Sequence, residues 1–112
     1  MHTVIETVPY LAQAQRLFDE EERQRIVNTI SADPRRGVVI PGTGGVRKLR
    51  VPASGRGKSG GARVIYLFGG ATIPVFLLAA FAKNEKSDLS QAERNALAKL
   101  SGDLVRAYRS GQ

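Results

Sequence analysis

The chain contains no cysteine and no tryptophan, and its single histidine is His2. Without cysteine there is no disulfide framework, thiolate zinc site, iron–sulfur cluster or thiol nucleophile. One histidine, at position 2, leaves no His-based metal cluster and argues against a serine triad. No metal and no other cofactor is therefore expected. Long apolar runs are also missing: the longest, 71–82, is 12 residues and is broken by Thr72 and Pro74. A membrane-spanning helix needs about 20. The opening MHTVIETVPYL has no basic region leading into an apolar one, so a cytoplasmic protein with no membrane partner is expected. The 112 residues allow one domain over 1–112, with roughly 65% of the unfolded surface buried on folding. That leaves no room for a catalytic domain beside a regulatory one.

Acidic residues are absent where basic ones are densest. The whole chain carries a formal charge of +7. Residues 1–33 contribute −3 and residues 85–112 contribute +1. Between 34 and 84 lie Arg35, Arg36, Arg47, Lys48, Arg50, Arg56, Lys58, Arg63 and Lys83, nine cations with no carboxylate. Solvated surfaces usually mix both signs, and a nearby acid repels phosphate. Fifty-one residues free of acids suit a surface that binds a polyanion. The plainer alternative is a scatter of solvated charges with one or two ion pairs to helix acids.

Periodicity supplies the elements. Thr3–Thr7 reads as a short strand. Pro9 suits a helix start, and Leu11, Ala14, Leu17 and Phe18 fall at helical spacing, giving a helix over about 9–18. Asp19 and Glu22 form a capping box for a second helix, about 20–32. Residues 34–45, with two Pro and four Gly, read as loop. Val46–Val51 alternates, with Lys48 and Arg50 on one face and Leu49 and Val51 on the other. A Gly-rich loop over 52–61 carries Arg56 and Lys58. Arg63–Phe68 is a strand, Gly69-Gly70 a tight hairpin signal, and Thr72–Ala82 an apolar strand placed centrally. Pro74 marks a strand start or bulge. Ser90 and Glu93 cap a final helix running to about 109, with Leu97, Leu100, Leu104 and Tyr108 on its apolar stripe. The order β-α-α-β-β-β-α describes an α+β domain, a small antiparallel-rich sheet covered by helices.

The motif GRGKS at 55–59 resembles a phosphate-binding loop only in part. Pro52 stands where the full pattern needs its first glycine, and the loop leads into a strand rather than a helix. Nucleotide hydrolysis is therefore rejected. Arg47, Lys48 and Arg50 on one strand, Lys58 in a loop, Arg63 opening the adjacent strand, and Lys83 and Lys86 after the next can converge on one face. Arginine favours bidentate phosphate contact and lysine a mobile point charge. The basic block holds no Asp, Glu or His. An RNase built on it must stabilise the transition state with cations, and the RNA 2′-OH can serve as nucleophile. Tyr66, Lys48 and Lys58 are the groups that can move protons, each only with a shifted pKa. Tyr66 has a second reading, as a core or edge ring.

Three runs resemble the HigB branch of the RelE/ParE toxin superfamily: VVIPGTGGVRKLR at 38–50, GRGKSGGARVIYLF at 55–68 and LLAAFAKNEKSDLSQAE at 77–93. The resemblance implies a RelE-like small domain and the toxin of a type II toxin–antitoxin pair. It implies a metal-independent endoribonuclease that enters the ribosome, cuts mRNA through the substrate's 2′-OH and blocks translation. Its implied partners are the ribosome, mRNA and a cognate antitoxin with a helix-turn-helix domain, and the toxin–antitoxin complex binds operator DNA. By position, Arg63 matches the family's catalytic arginine, joined by Lys48, Lys58 and Lys83. Arg47, Arg50, Arg56, Lys86 and Tyr66 are the implied RNA- and ribosome-binding set. Many relatives carry Tyr or His near the start of the last helix, where this chain has LSQAE. Two other functions share this fold or charge: a ParE-like inhibitor of DNA gyrase, and a non-catalytic RNA-binding module.

Overall fold

A computed structural model of the chain describes residues 1–53 and 61–110. The order is β1 (Val4–Glu6), α1 (Val8–Leu17), α2 (Glu20–Ala32), β2 (Val38–Val39), β3 (Val46–Val51), β4 (Ala62–Leu67), β5 (Val75–Ala82) and α3 (Gln91–Ser110). The strands form one sheet in the order β1-β5-β4-β3-β2. β1 runs parallel to β5, and every other neighbour is antiparallel. The α+β architecture is as the sequence predicts, with one added strand.

Local chemistry accounts for the helix starts. Thr7 accepts a hydrogen bond from Tyr10 N and donates its own hydroxyl to Leu77 O at 2.6 Å, which caps α1 and ties it to β5. Asp19 accepts from Glu22 N at 2.7 Å while Glu22 accepts from Asp19 N at 2.9 Å, the predicted capping box of α2. Ser90 and Glu93 do the same for α3, at 3.1 and 2.8 Å. Each box satisfies amides that a helix end otherwise leaves unpaired.

The sheet separates two cores. On one face α1 and α2 pack Tyr10, Leu17, Ile26 and Ile30 against Leu49, Val64, Tyr66 and Leu77. On the other, Leu97, Leu104 and Val105 of α3 cover Val46, Ile65, Leu67, Phe76 and Phe81. β4 is buried along its whole length. Each of its aliphatic side chains contributes about 1.5–3 kcal/mol by leaving water. A register shift between β4 and β5 pairs Ile65 with Ala79 and Tyr66 with Leu77. Leu78 is the extra residue, and it joins the α3-side core. β1 reaches only as far as Leu77. Beyond it, Gln13 of α1 accepts the Ala80 N–H at 2.9 Å, because a buried amide left unpaired is costly.

Two expectations need correction. Residues 34–45 are not all loop: Val38 and Val39 pair with Lys48 and Arg47 of β3. A two-residue strand is too short to show alternation. The reversal that creates it depends on Gly42, Gly44 and Gly45 at positive φ and on the Thr43 hydroxyl, which donates to Ile40 O at 2.6 Å. Gly69-Gly70 does not form a two-residue hairpin either. The connection runs from 68 to 74, and β5 begins at Val75, whose N–H donates to Thr3 O at 2.8 Å. Pro74 has no N–H to offer, so the strand starts after it.

The Tyr10 ring is fully buried, and among the described residues its hydroxyl has no hydrogen-bond partner. Burial, reinforced by the Glu6 charge, pushes its pKa to about 12. Tyr10→Phe removes a desolvated hydroxyl without opening a cavity. The expected result is a gain of about 1 kcal/mol in unfolding free energy, read by urea denaturation. A loss of that size would mean that the hydroxyl is satisfied in solution.

Candidate nucleic-acid interface

The register aligns side chains in rows across β3, β4 and β5. One row is Arg50–Arg63–Phe81, and the next is Lys48–Ile65–Ala79. Ile65 and Phe81 belong to the core on the α3 side, so alternation puts Lys48, Arg50 and Arg63 on that face too. Arg50 and Arg63 are therefore like charges directly opposite, a destabilising arrangement unless an anion lies between them. Arg50 is exposed, whereas Arg63 is only 6% exposed. The Arg63 guanidinium donates to Ala62 O at 3.3 Å, and among the described residues it has no carboxylate partner. Lys83 follows β5 at the same end of the sheet, where its N–H donates to Gly61 O at 3.0 Å. Its ammonium is exposed and lies 3.5 Å from Ser87 O.

The segment entering α3 brings acids that the charge count alone does not place. Lys48 Nζ lies 3.2 Å from Asp88 Oδ1, and Arg94 reaches Asp88 Oδ2 at 3.2 Å. Lys86 pairs with Glu93 and sits 5.4 Å from the centre of the Phe81 ring. The Leu89 amide donates to Asp88 at 2.8 Å, and this bond, with Lys48, lowers the Asp88 pKa. Lys86, followed by the Ser90 amide, lowers that of Glu93. The acid-free block is thus acid-free in sequence only. Arg94, Asp88 and Glu93 stand beside the cations of this candidate face, and the sequence alone did not single them out. Their one signal is position, at the start of a helix that must cross this face.

Two expected RNA contacts are displaced. Tyr66 points to the opposite face, is fully buried, and uses its hydroxyl twice: it accepts from Gly37 N at 2.9 Å and donates to Pro34 O at 2.8 Å. Burial raises its pKa, and both of these hydrogen bonds are made inside the protein. Arg47, one residue from Lys48, points the same way as Leu49. It donates to Gly37 O at 2.8 Å and Arg35 O at 3.1 Å, with its guanidinium 6.0 Å from the Phe68 ring centre. It fastens residues 35–37 to β3 rather than joining the cationic face. Arg56, Lys58 and the GRGKS loop lie outside the described residues.

Among the described residues, no group of three His, Cys, Asp or Glu side chains is placed to hold a metal ion, and no helix is long and apolar enough to cross a membrane. A family described as "RelE toxin of RelE / RelB toxin-antitoxin system" matches residues 13–111. The chain belongs to the RelE toxin family. A solved structure of Escherichia coli toxin RelE, a double arginine-to-alanine mutant in the free state, superposes with a TM-score of 0.54 at 15% identity. The match covers 77% of this chain and 87% of that one. At that identity the likeness concerns the RelE fold, and the arrangement of charged side chains must be read from this chain itself.

The lowered carboxylates predict how α3 responds to acid. Asp88, Glu93 and Asp103 all have depressed pKa values in the folded state. Their contribution is complete above the ordinary carboxylate range, about pH 4, and is lost as pH falls through the folded values. Melting temperature should therefore show no loss from these groups between pH 8 and 5, then fall below about pH 4. A drop confined to pH 8–6 would point to other groups.

Proposed function

We propose that this chain is the toxin of a type II toxin–antitoxin pair and cuts mRNA on the ribosome, in the manner of the HigB-like proteins its three runs resemble. One observation carries the reading: Arg63 is buried with no carboxylate partner among the described residues, directly opposite Arg50, on the face that also carries Lys48 and at the end of the sheet where Lys83 follows β5. Such a guanidinium is arranged for an external anion, and the matching external anion is a phosphodiester. The RNA 2′-hydroxyl loses its proton to water and attacks the adjacent phosphorus, the P–O5′ bond breaks to leave a 2′,3′-cyclic phosphate, and charge builds on the non-bridging oxygens. Arg63 and Lys48 stabilise that charge. Lys48 on this face and Lys83 at the same end of the sheet are the proton donors for the leaving oxygen. Arg50 and Lys86 hold flanking phosphates.

The Tyr66 hydroxyl is buried on the other face, and LSQAE supplies no Tyr or His. In-line geometry then has to come from elsewhere, and the ribosome provides it by holding the message. The partners in this reading are ribosome, mRNA and an antitoxin with a helix-turn-helix domain, through which the complex reaches operator DNA. The test is incubation of purified protein with mRNA, with and without translating ribosomes. Cuts at codon-linked positions only with ribosomes are expected. No cuts under either condition, together with inhibition of DNA gyrase, would replace this reading with the ParE-like one.

A further inference from the structure

Asp88 is an acid in a place where an RNA-binding face should avoid one. Its carboxylate is nevertheless held from three sides: by the Lys48 ammonium and the Arg94 guanidinium, each at 3.2 Å, and by the Leu89 amide at 2.8 Å. Leu89 is buried in the α3-side core, so the backbone carrying the carboxylate is anchored. Lys48 is only partly exposed and carries a long, flexible stem. A free lysine of this kind loses considerable rotamer entropy when it is fixed on a phosphate.

We propose that Asp88 is a positioning residue. It sets the Lys48 ammonium and the Arg94 guanidinium on the cationic face before substrate arrives. The inference rests on the cleavage reading above and adds to it two residues outside the cationic set derived from sequence. Asp88 acts through Lys48 and touches no substrate. The cost is electrostatic, since a carboxylate beside the path of the RNA weakens the attraction for phosphate. The two effects have opposite signs and can be separated.

The test compares wild type, Asp88→Asn, Lys48→Ala and the double variant in ribosome-dependent mRNA cleavage, using full-length protein. Asp88→Asn removes one negative charge and frees Lys48. Its kcat should fall between about 10- and 100-fold, the scale of losses when a reacting geometry is loosened. Its KM should fall or stay level, because the face becomes more cationic. The double variant should be no slower than Lys48→Ala alone. Asp88→Glu should recover part of the kcat. A merely structural role would lower the melting temperature and the active fraction, with losses that multiply in the double variant. Unchanged kcat in Asp88→Asn, or multiplying losses, overturns the proposal while leaving the cleavage reading intact. Absence of cleavage by the wild type overturns both.

Discussion

Arg63→Gln should reduce ribosome-dependent cleavage by about 10²–10³-fold, the loss seen when a positioned donor to a developing oxyanion is removed. The guanidinium is almost fully buried, with no carboxylate partner among the described residues. Among the described residues, removing it takes away no ion pair and one hydrogen bond, of 3.3 Å to Ala62 O. Folding should survive, and thermal melting of the purified variant checks this. Arg63→Lys should recover little of the activity, because an ammonium cannot reproduce a planar fork of donors. Growth inhibition on expression should disappear in Arg63→Gln while antitoxin binding persists. Full toxicity in that variant would remove Arg63 from the site.

Tyr66→Phe should have the opposite profile, with a large effect on stability and little on chemistry. The hydroxyl accepts from Gly37 N and donates to Pro34 O, both inside the protein. Its loss leaves a buried donor and a buried acceptor unpaired, at about 1–3 kcal/mol for an unsatisfied group. Gly37 shows how tightly this corner is packed, since a Cβ there would lie 2.8 Å from the Tyr66 hydroxyl and 3.0 Å from Lys48 O. No replacement side chain at 37 can fill the gap. Urea denaturation should show the loss, while cleavage at a temperature where the variant is folded stays near wild type. A cleavage defect of tenfold or more in fully folded Tyr66→Phe would return the tyrosine to the mechanism.

These variants contrast two residues three positions apart on one strand. β4 reads ARVIYL, and its apolar character identifies it as a buried strand from composition alone. Alternation also states that Arg63 and Tyr66 point to opposite faces. It does not state which face is covered by which helix. Both faces of β4 are buried, so the usual contrast between an apolar and a polar side is absent. The same holds for Arg47 and Lys48. Their neighbouring positions in a run of cations make them look like one group, and the pleat sends one to Phe68 and the other to Asp88.

Local signals were legible because local physics decides them. The capping boxes Asp19–Glu22 and Ser90–Glu93 each involve residues three apart, so their geometry is complete within one helical turn. β3 could be bounded at Val46–Val51 because Gly45 and Pro52 flank it and Lys48–Val51 alternates. The exclusion of cysteine chemistry, the nine cations without an acid between 34 and 84, and the expectation of an anionic partner likewise follow from the sequence by itself. Tertiary structure alone decided the rest. Val38–Val39 becomes a strand only because β3 lies beside it. Arg50 and Arg63 face each other only through the β3–β4 register. Asp88 is 40 residues from Lys48 in the chain, and no periodicity connects residues that far apart. Sequence counts charges along a line, whereas electrostatic interaction depends on distance in space. An acid-free segment can therefore fold onto a helix start that supplies its acids.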